Sequence, residues 1–349
     1  MPSRSADTAS GPLATPLDGV DLLLADLDGV VYAGPEALPY AVESINRAQG
    51  TIRVGYITSN ASRTADSVAG HLSELGLTVV ADDVVTSPQA AIVLLEELVP
   101  AGSTILVVGG EGLTSVVEAH GFRVTRSAED APAAVVQGFH PSVAWTDLAE
   151  AAYALKVPAD GGPGIPWVAT NTDWTIPQAR GTAPGNGTLV SAVHTAVGRL
   201  PIVAGKPERA IFDAAVERFA ASSALVLGDR LDTDILGANR AGIASALVLT
   251  GIDGAKQVLA ADADSRPGFL LSDLRELFEP YPTPVEERDE RSGDRVFHSA
   301  AAAVRLAGNA VTIDSAGDRP IDLLRAGTAA VWGAGVPIYA LDVAPGLYS

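Results

Sequence analysis

The stretch Asp21 to Tyr32 reads DLLLADLDGVVY, and it restricts the fold more than any other part of the chain. A short apolar run, Leu22 to Ala25, leads directly into two aspartates two positions apart, Asp26 and Asp28, with Gly29 next. Four apolar residues without polar alternation suit a strand buried on both faces, as in a parallel sheet. Ligands of such sheets collect just beyond the carboxyl ends of the strands. Two carboxylates placed there repel each other unless a cation or a proton compensates them. Asp26 and Asp28 are therefore read as a nucleophile and its acid/base partner around a magnesium ion.

The same pattern recurs along the chain. Val54 to Ile57 is a predicted strand ending in the polar cluster Thr58-Ser59-Asn60-Ala61-Ser62-Arg63, before a predicted helix, Thr64 to Leu75, closed by Gly76. Val84 to Thr86 is a third strand, and Pro88 opens a helix to about Leu98. Much later, Leu200 to Gly205 precedes Lys206, Leu225 to Leu227 ends in Gly228-Asp229-Arg230, and Ala246 to Leu249 and Phe269 to Leu271 complete the set of strands. Alternating strands and helices predict an α/β fold, a Rossmann-like core with a mainly parallel sheet. Residues 19–100 and 200–280 form that core, and a second α/β unit, 101–199, is inserted between its halves. Pro280, Pro282 and Pro284 form a stiff linker to a short C-terminal α/β extension, 285–349. There, Pro284 to Arg295 is expected to be charged and flexible, Ala300 to Leu306 and Leu323 to Trp332 helical, and Val336 to Leu341 a strand.

Bulk properties exclude several classes of partner. A net charge of −19 argues against nucleic acid and anionic membranes, both of which call for a basic surface. A small phosphorylated metabolite remains compatible, because one lysine and one divalent cation can hold a phosphate locally. The chain has no cysteine, so disulfides and thiolate chemistry are excluded. Residues 1–18, rich in Ser, Ala, Pro and Thr, lack the apolar core of a secretory signal and read as a disordered leader. No run approaches the roughly 18 apolar residues of a membrane helix, so a cytoplasmic protein without membrane insertion is expected. Self-association is left open.

Four strand-end clusters have complementary chemistry: Asp26 with Asp28, Thr58 to Asn60, Lys206, and Asp229 with Asp234. Carboxylates suit magnesium, an oxygen-seeking cation. Hydroxyl and amide groups can bond phosphate oxygens, and a lysine offsets the charge of a transferring phosphoryl group. Each cluster alone has a bland reading, as a solvated turn, an acidic loop or a helix cap; their joint placement on one sheet edge favours the site. None of the five histidines has the spacing of a metal site.

The segments DLDGVVY, ITSNAS, AGKPE and GDRLDTD resemble the four motifs of the haloacid dehalogenase superfamily of phosphatases. The narrower likeness is to its capped branch, which includes 4-nitrophenylphosphatase-like, glycerol phosphate and phosphoglycolate phosphatases, and it spans roughly Asp21 to Asp273. The resemblance implies Asp26 as nucleophile and Asp28 as general acid and base. It implies phosphate binding by Thr58, Ser59, Asn60 and Lys206. Metal ligation falls on Asp26, the Asp28 carbonyl and Asp229, with Asp234 in an outer orienting position. The inserted unit takes the place of that branch's cap, where ATNTD (Ala169 to Asp173) and PGNG (Pro184 to Gly187) put Asn171, Asp173 and Asn186 over the leaving group. Ser59-Asn60-Ala61 departs from relatives that carry two consecutive asparagines.

The expected activity is magnesium-dependent phosphomonoester hydrolysis through an aspartyl-phosphate. A cap without a basic cluster favours glycerol 3-phosphate or a similar small polyol phosphate; phosphoglycolate, pyridoxal phosphate, sugar phosphates and nucleotides are the alternatives. A reading of another class is a phosphometabolite-binding regulatory module working through the C-terminal extension. That extension is weakly similar to a fragment of a small-molecule N-acetyltransferase fold, without an assignable coenzyme A loop.

Overall fold

The computed structural model describes residues 14–59, 63–156, 162–178 and 180–348. Its centre is a six-stranded sheet in the order Phe269–Leu271, Ala244–Val248, Ala224–Gly228, Leu22–Ala25, Arg53–Thr58, Val84–Thr86. Every neighbouring pair is parallel. Leu22–Ala25 is flanked by strands from both halves of the chain, so the strand order reverses at this point. Its four residues are fully buried, as an apolar run between two helical layers must be. One layer contains the helices Ala41–Gln49 and Ala65–Glu74, the other Ser87–Leu98 and Arg209–Phe219. Thr64 caps the second of these helices by accepting the Ser67 amide.

The inserted unit is a second parallel sheet, ordered Ile202–Val203, Trp167–Ala169, Ala134–Gln137, Thr104–Val108, Arg123–Thr125. An antiparallel hairpin, Thr175–Gln178 with Gly181–Pro184, projects from it. Ile202–Val203 belongs to this sheet, so the chain leaves the insert a few residues beyond the expected boundary at 199. Insert and core are not separate hydrophobic units. Leu24, Ile57 and Val85 of the core, Ala91 and Leu95 of the helix Ser87–Leu98, and Ile105, Val136 and Val168 of the insert share one buried cluster.

The C-terminal region is a five-stranded sheet, Val285–Arg288, Arg295–Ser299, Ala302–Ala307, Ala310–Ala316 and Asp342–Val343, covered by the helix Pro320–Gly333. It is antiparallel except for its last pair. Three local expectations are corrected here. The alanine-rich segment expected as a helix at 300–306 is a strand, because it pairs on both sides and turns its apolar face to the helix. The charged stretch from 284 includes an exposed edge strand, held by Arg295 Nε on Glu286 at 2.6 Å. The strand expected at 336–341 is instead a short 3-10 turn, Ile338–Ala340, before the strand Asp342–Val343.

The module packs on the core through Leu247, Val258 and Leu270 against Phe297, Val304 and Leu324. Arg325, only 2% exposed, enters this interface. It donates to Glu276 at 2.6 Å, to Asp322 at 2.8 Å and to the Leu270 carbonyl at 2.6 Å, and lies 4.3 Å from the centre of the Tyr281 ring. A buried guanidinium so completely bonded fixes register between two surfaces. Residues 14–18, expected to be disordered, form a turn in which Ala14 accepts the Tyr281 amide and Leu17 packs on the core. Among the described residues, no helix is long and apolar enough to cross a membrane.

Candidate active site

The sheet gathers the expected clusters at its carboxyl edge. Asp26 follows Leu22–Ala25, Thr58 and Ser59 end the neighbouring strand, and Asp229 follows Ala224–Gly228 on the other side. Lys206 arrives from the last strand of the insert. Its ammonium donates to Asp26 Oδ1 and to Asp234 Oδ1, each at 2.6 Å. Carboxylate oxygens of Asp26, Asp229 and Asp234 lie within 4.8 Å of one another, and all three residues are buried. Asp234 sits in the π-helical turn Leu231–Ile235, where its Oδ2 accepts the Arg230 amide at 3.2 Å. Asp229 Oδ2 accepts the Ile252 amide at 2.8 Å.

Gly29 makes this packing possible. Its φ is +86°, and a Cβ there would stand 2.3 Å from Asp229 Oδ2. Only glycine fits a left-handed turn pressed against a carboxylate. Thr250 Oγ1 secures the turn by donating to the Gly29 carbonyl at 2.7 Å.

The electrostatics arise from three buried acids sharing one ammonium. Burial, with the charges of Asp26 and Asp234 added, pushes the Asp229 carboxyl up to about 7. Burial raises Asp26 and Asp234 too, against the pull of Lys206. Burial alone would lower Lys206, but Asp234 and Asp26 outweigh it and hold the ammonium charged. Asp28 is exposed, yet partial burial of its carboxyl raises its pKa against the charges of Lys206, Arg63 and His71. A raised carboxyl suits a group that must donate a proton near neutrality.

The donor set fits a hard divalent cation: buried, oxygen-only, and short of positive charge. Asp26, Asp229 and the Asp28 carbonyl would hold it, while Asp234 is engaged by Lys206 and the Arg230 amide. Protons compete with such a cation for Asp229. Below about 7 the carboxyl is protonated in the fold, so magnesium affinity is expected to rise roughly tenfold per pH unit up to that value and then level off. Calorimetric titration with magnesium between pH 5.5 and 8.5 checks this; an affinity flat across the range would contradict it. The same shift makes the metal-free fold lose stability as pH rises toward 7, because Asp229 ionises more readily in the unfolded chain.

Asn60 lies outside the described residues. Of the three cap residues, Asp173 is the one whose electrostatic surroundings are the site itself: burial raises its carboxyl, while Lys206 and Arg230 pull it down. Asn171 and Asn186 commit their side-chain amides to backbone carbonyls, of Ser59 and of Asn171 respectively, both at 2.7 Å. Sequence reasoning missed the segment Thr250 to Asp253. It holds the Gly29 and Asp229 turns, and Asp253 Oδ2 accepts the Leu231 amide at 2.7 Å. The only signal was its position, a Thr-Gly pair just after an apolar strand.

An ammonium bridging two buried carboxylates beside a third, at a parallel-sheet switch point, defines a site for metal-assisted phosphoryl transfer. Residues 23–123 match the haloacid dehalogenase-like hydrolase family, and residues 203–277 match a second, HAD-hydrolase-like description. The chain is 48% identical over 257 residues to D-glycerol 3-phosphate phosphatase of Mycobacterium tuberculosis, covering 74% of this chain and 70% of that protein. The crystal structure of a glycerol phosphate phosphatase from Mycobacterium tuberculosis in complex with magnesium superposes with a TM-score of 0.81 at 41% identity, over 93% of this chain and 94% of that one. A 4-nitrophenylphosphatase from Thermotoga maritima gives 0.68 at 29% identity, over 76% and 98%. The chain belongs to the haloacid dehalogenase-like hydrolases.

Proposed function

We propose that the chain is a magnesium-dependent phosphomonoester hydrolase acting on glycerol 3-phosphate or a closely similar polyol phosphate. The observation that carries the reading is the bridge of Lys206 between Asp26 and Asp234, with Asp229 alongside. The substrate class is supported by the 48% identical glycerol phosphate enzyme and by Asp173. A carboxylate over the leaving group accepts hydrogen bonds from hydroxyls and repels an acidic group.

Asp26 attacks phosphorus in line, forming an acyl-phosphate while the bond to the leaving oxygen breaks. Asp28 gives its proton to that oxygen. A water molecule then attacks the phosphorus, Asp28 takes its proton, and Asp26 is released with inorganic phosphate. Lys206 and Thr58 bond the equatorial oxygens, where charge is spread in the transition state. A magnesium ion, when bound, neutralises phosphate charge that would otherwise repel Asp26.

A phosphate-release screen over glycerol 3-phosphate, phosphoglycolate, pyridoxal phosphate, sugar phosphates and nucleotides, with magnesium or with chelator, tests the reading. Glycerol 3-phosphate is expected to exceed phosphoglycolate in kcat/KM by about tenfold or more, the scale of one well-placed polar contact. Release that ignores chelation, or none from any ester, would overturn the reading.

A further inference from the structure

We infer that Asn171 and Ser87 form a clasp on the carbonyl of Ser59, and that through it the seating of the cap sets the phosphate-binding loop. Asn171 is thereby a positioning residue, not a contact to the leaving group. The proposal rests on the phosphatase reading above.

Two donors from different parts of the molecule converge on one oxygen. Asn171 Nδ2, from the cap, donates to the Ser59 carbonyl at 2.7 Å. Ser87 Oγ, at the start of the helix Ser87–Leu98, donates to the same carbonyl at 2.9 Å. Both donors are buried, Ser87 completely. Ser59 directly follows Thr58, so holding its carbonyl anchors the chain at the residue next to the Thr58 hydroxyl.

Asn171 is held in turn. Its Oδ1 accepts the Asp173 amide at 3.3 Å, and its own carbonyl accepts Asn186 Nδ2 at 2.7 Å. Asn186 also reaches the Gln137 carbonyl, at 3.4 Å. The chain of bonds thus runs from the phosphate loop through Asn171 to the helix Asn186–Val197 and the middle of the cap sheet. One N–H of the Asn171 amide is committed to the Ser59 carbonyl and its oxygen to the Asp173 amide, so the side chain is held by the loop on both of its ends.

The clasp also touches the second phosphate-facing group. Gly205, immediately before Lys206, packs so tightly that a Cβ there would lie 2.3 Å from the Thr170 carbonyl and 3.3 Å from the Cβ atoms of both Asn171 and Ser87. Loosening Asn171 therefore disturbs the seats of Thr58 and Lys206 together. Both bind the phosphoryl group common to all substrates, so the effect must be independent of the leaving group.

The test compares Asn171→Ala, Asn171→Asp, Ser87→Ala and the double variant N171A/S87A on glycerol 3-phosphate and on 4-nitrophenyl phosphate. N171A is expected to lower kcat on the order of 10–100-fold, by the same factor for both esters, as misplaced transition-state groups do. N171D, which keeps the volume but turns an oxygen toward the Ser59 carbonyl, is expected to lose at least as much. S87A is expected to lose less, and the double variant less than the product of the singles, because one carbonyl serves both donors. Binding of inorganic phosphate should weaken in N171A, and amide hydrogen exchange in the peptide ending at Ser59 should quicken while that of Leu22–Ala25 does not. Loss confined to glycerol 3-phosphate with unchanged exchange would make Asn171 a leaving-group contact and overturn the clasp. Wild-type rates in N171D would overturn it equally. If the wild-type protein hydrolysed no ester, the phosphatase reading would fall, and the exchange measurement would still decide the clasp.

Discussion

Asp26→Asn is expected to reduce phosphate release by about 10⁴-fold or more while the protein stays folded, because a covalent step is removed outright. The amide has the shape of the carboxylate but offers no lone pair basic enough to attack phosphorus. Lys206 keeps Asp234 at 2.6 Å when it loses Asp26, so its ammonium remains paired. The lost charge-assisted bond is offset because a carboxylate charge no longer has to be buried, and burial already raises the Asp26 carboxyl. The thermal midpoint without divalent ions should therefore move by only about 4 °C or less, the equivalent of a small stability change. Phosphate release and a melting curve on one preparation check both halves. Turnover at the wild-type rate would remove Asp26 from the mechanism.

Lys206→Met should be costly in a different way. The methionine matches the apolar stem, but Asp26 and Asp234, 8% and 0% exposed, lose the cation that faces them. Leaving buried charge unpaired costs about 3–5 kcal/mol, so urea unfolding at pH 7.5 should show a loss of that order. The direction with pH has the same cause. Unpaired carboxylates titrate still higher in the fold, so acidification neutralises them and the gap to wild type should narrow toward pH 5. Turnover should fall on the order of 10³-fold, the scale of removing a charged transition-state partner. Equal stability of the variant and wild type at pH 7.5 would show that the acids do not depend on Lys206.

Much of the fold and site was readable in the chain because parallel strands are short and uniformly apolar, and because each gives way to polar residues at its end. Leu22 to Ala25 before Asp26, and Leu225 to Leu227 before Gly228 and Asp229, mark both the strand and the edge at which it ends. Direction along that edge is not marked. Asn171 stands at a strand end in sequence as Asp26 does, but its amide turns to the Ser59 carbonyl. The Thr250 to Asp253 segment works through backbone amides, one hydroxyl and one carboxylate that accepts a backbone amide, groups that any loop can carry. The C-terminal module was misread where alanines occupy a strand, since alanine favours helices intrinsically and only tertiary pairing overrules it. Its edge strand, Val285–Arg288, is exposed throughout and offers no buried face for a pattern to reveal.

The buried cluster common to both sheets limits how such a protein can be rebuilt. Ile105, Val136 and Val168 lie on the same apolar ground as Leu24, Ile57 and Val85, with Ala91 and Leu95 between them. A graft that exchanged residues 104–203 for a relative's would leave that ground bare unless the helix Ser87–Leu98 travelled with it. Recombination at 86 and 204 keeps the insert's face with Ala91 and Leu95 on one donor, whereas a cut at 103 separates them; Leu24, Ile57 and Val85 stay with the other donor in both cases. Changes confined to the loop that carries Asp173 leave that shared interior intact.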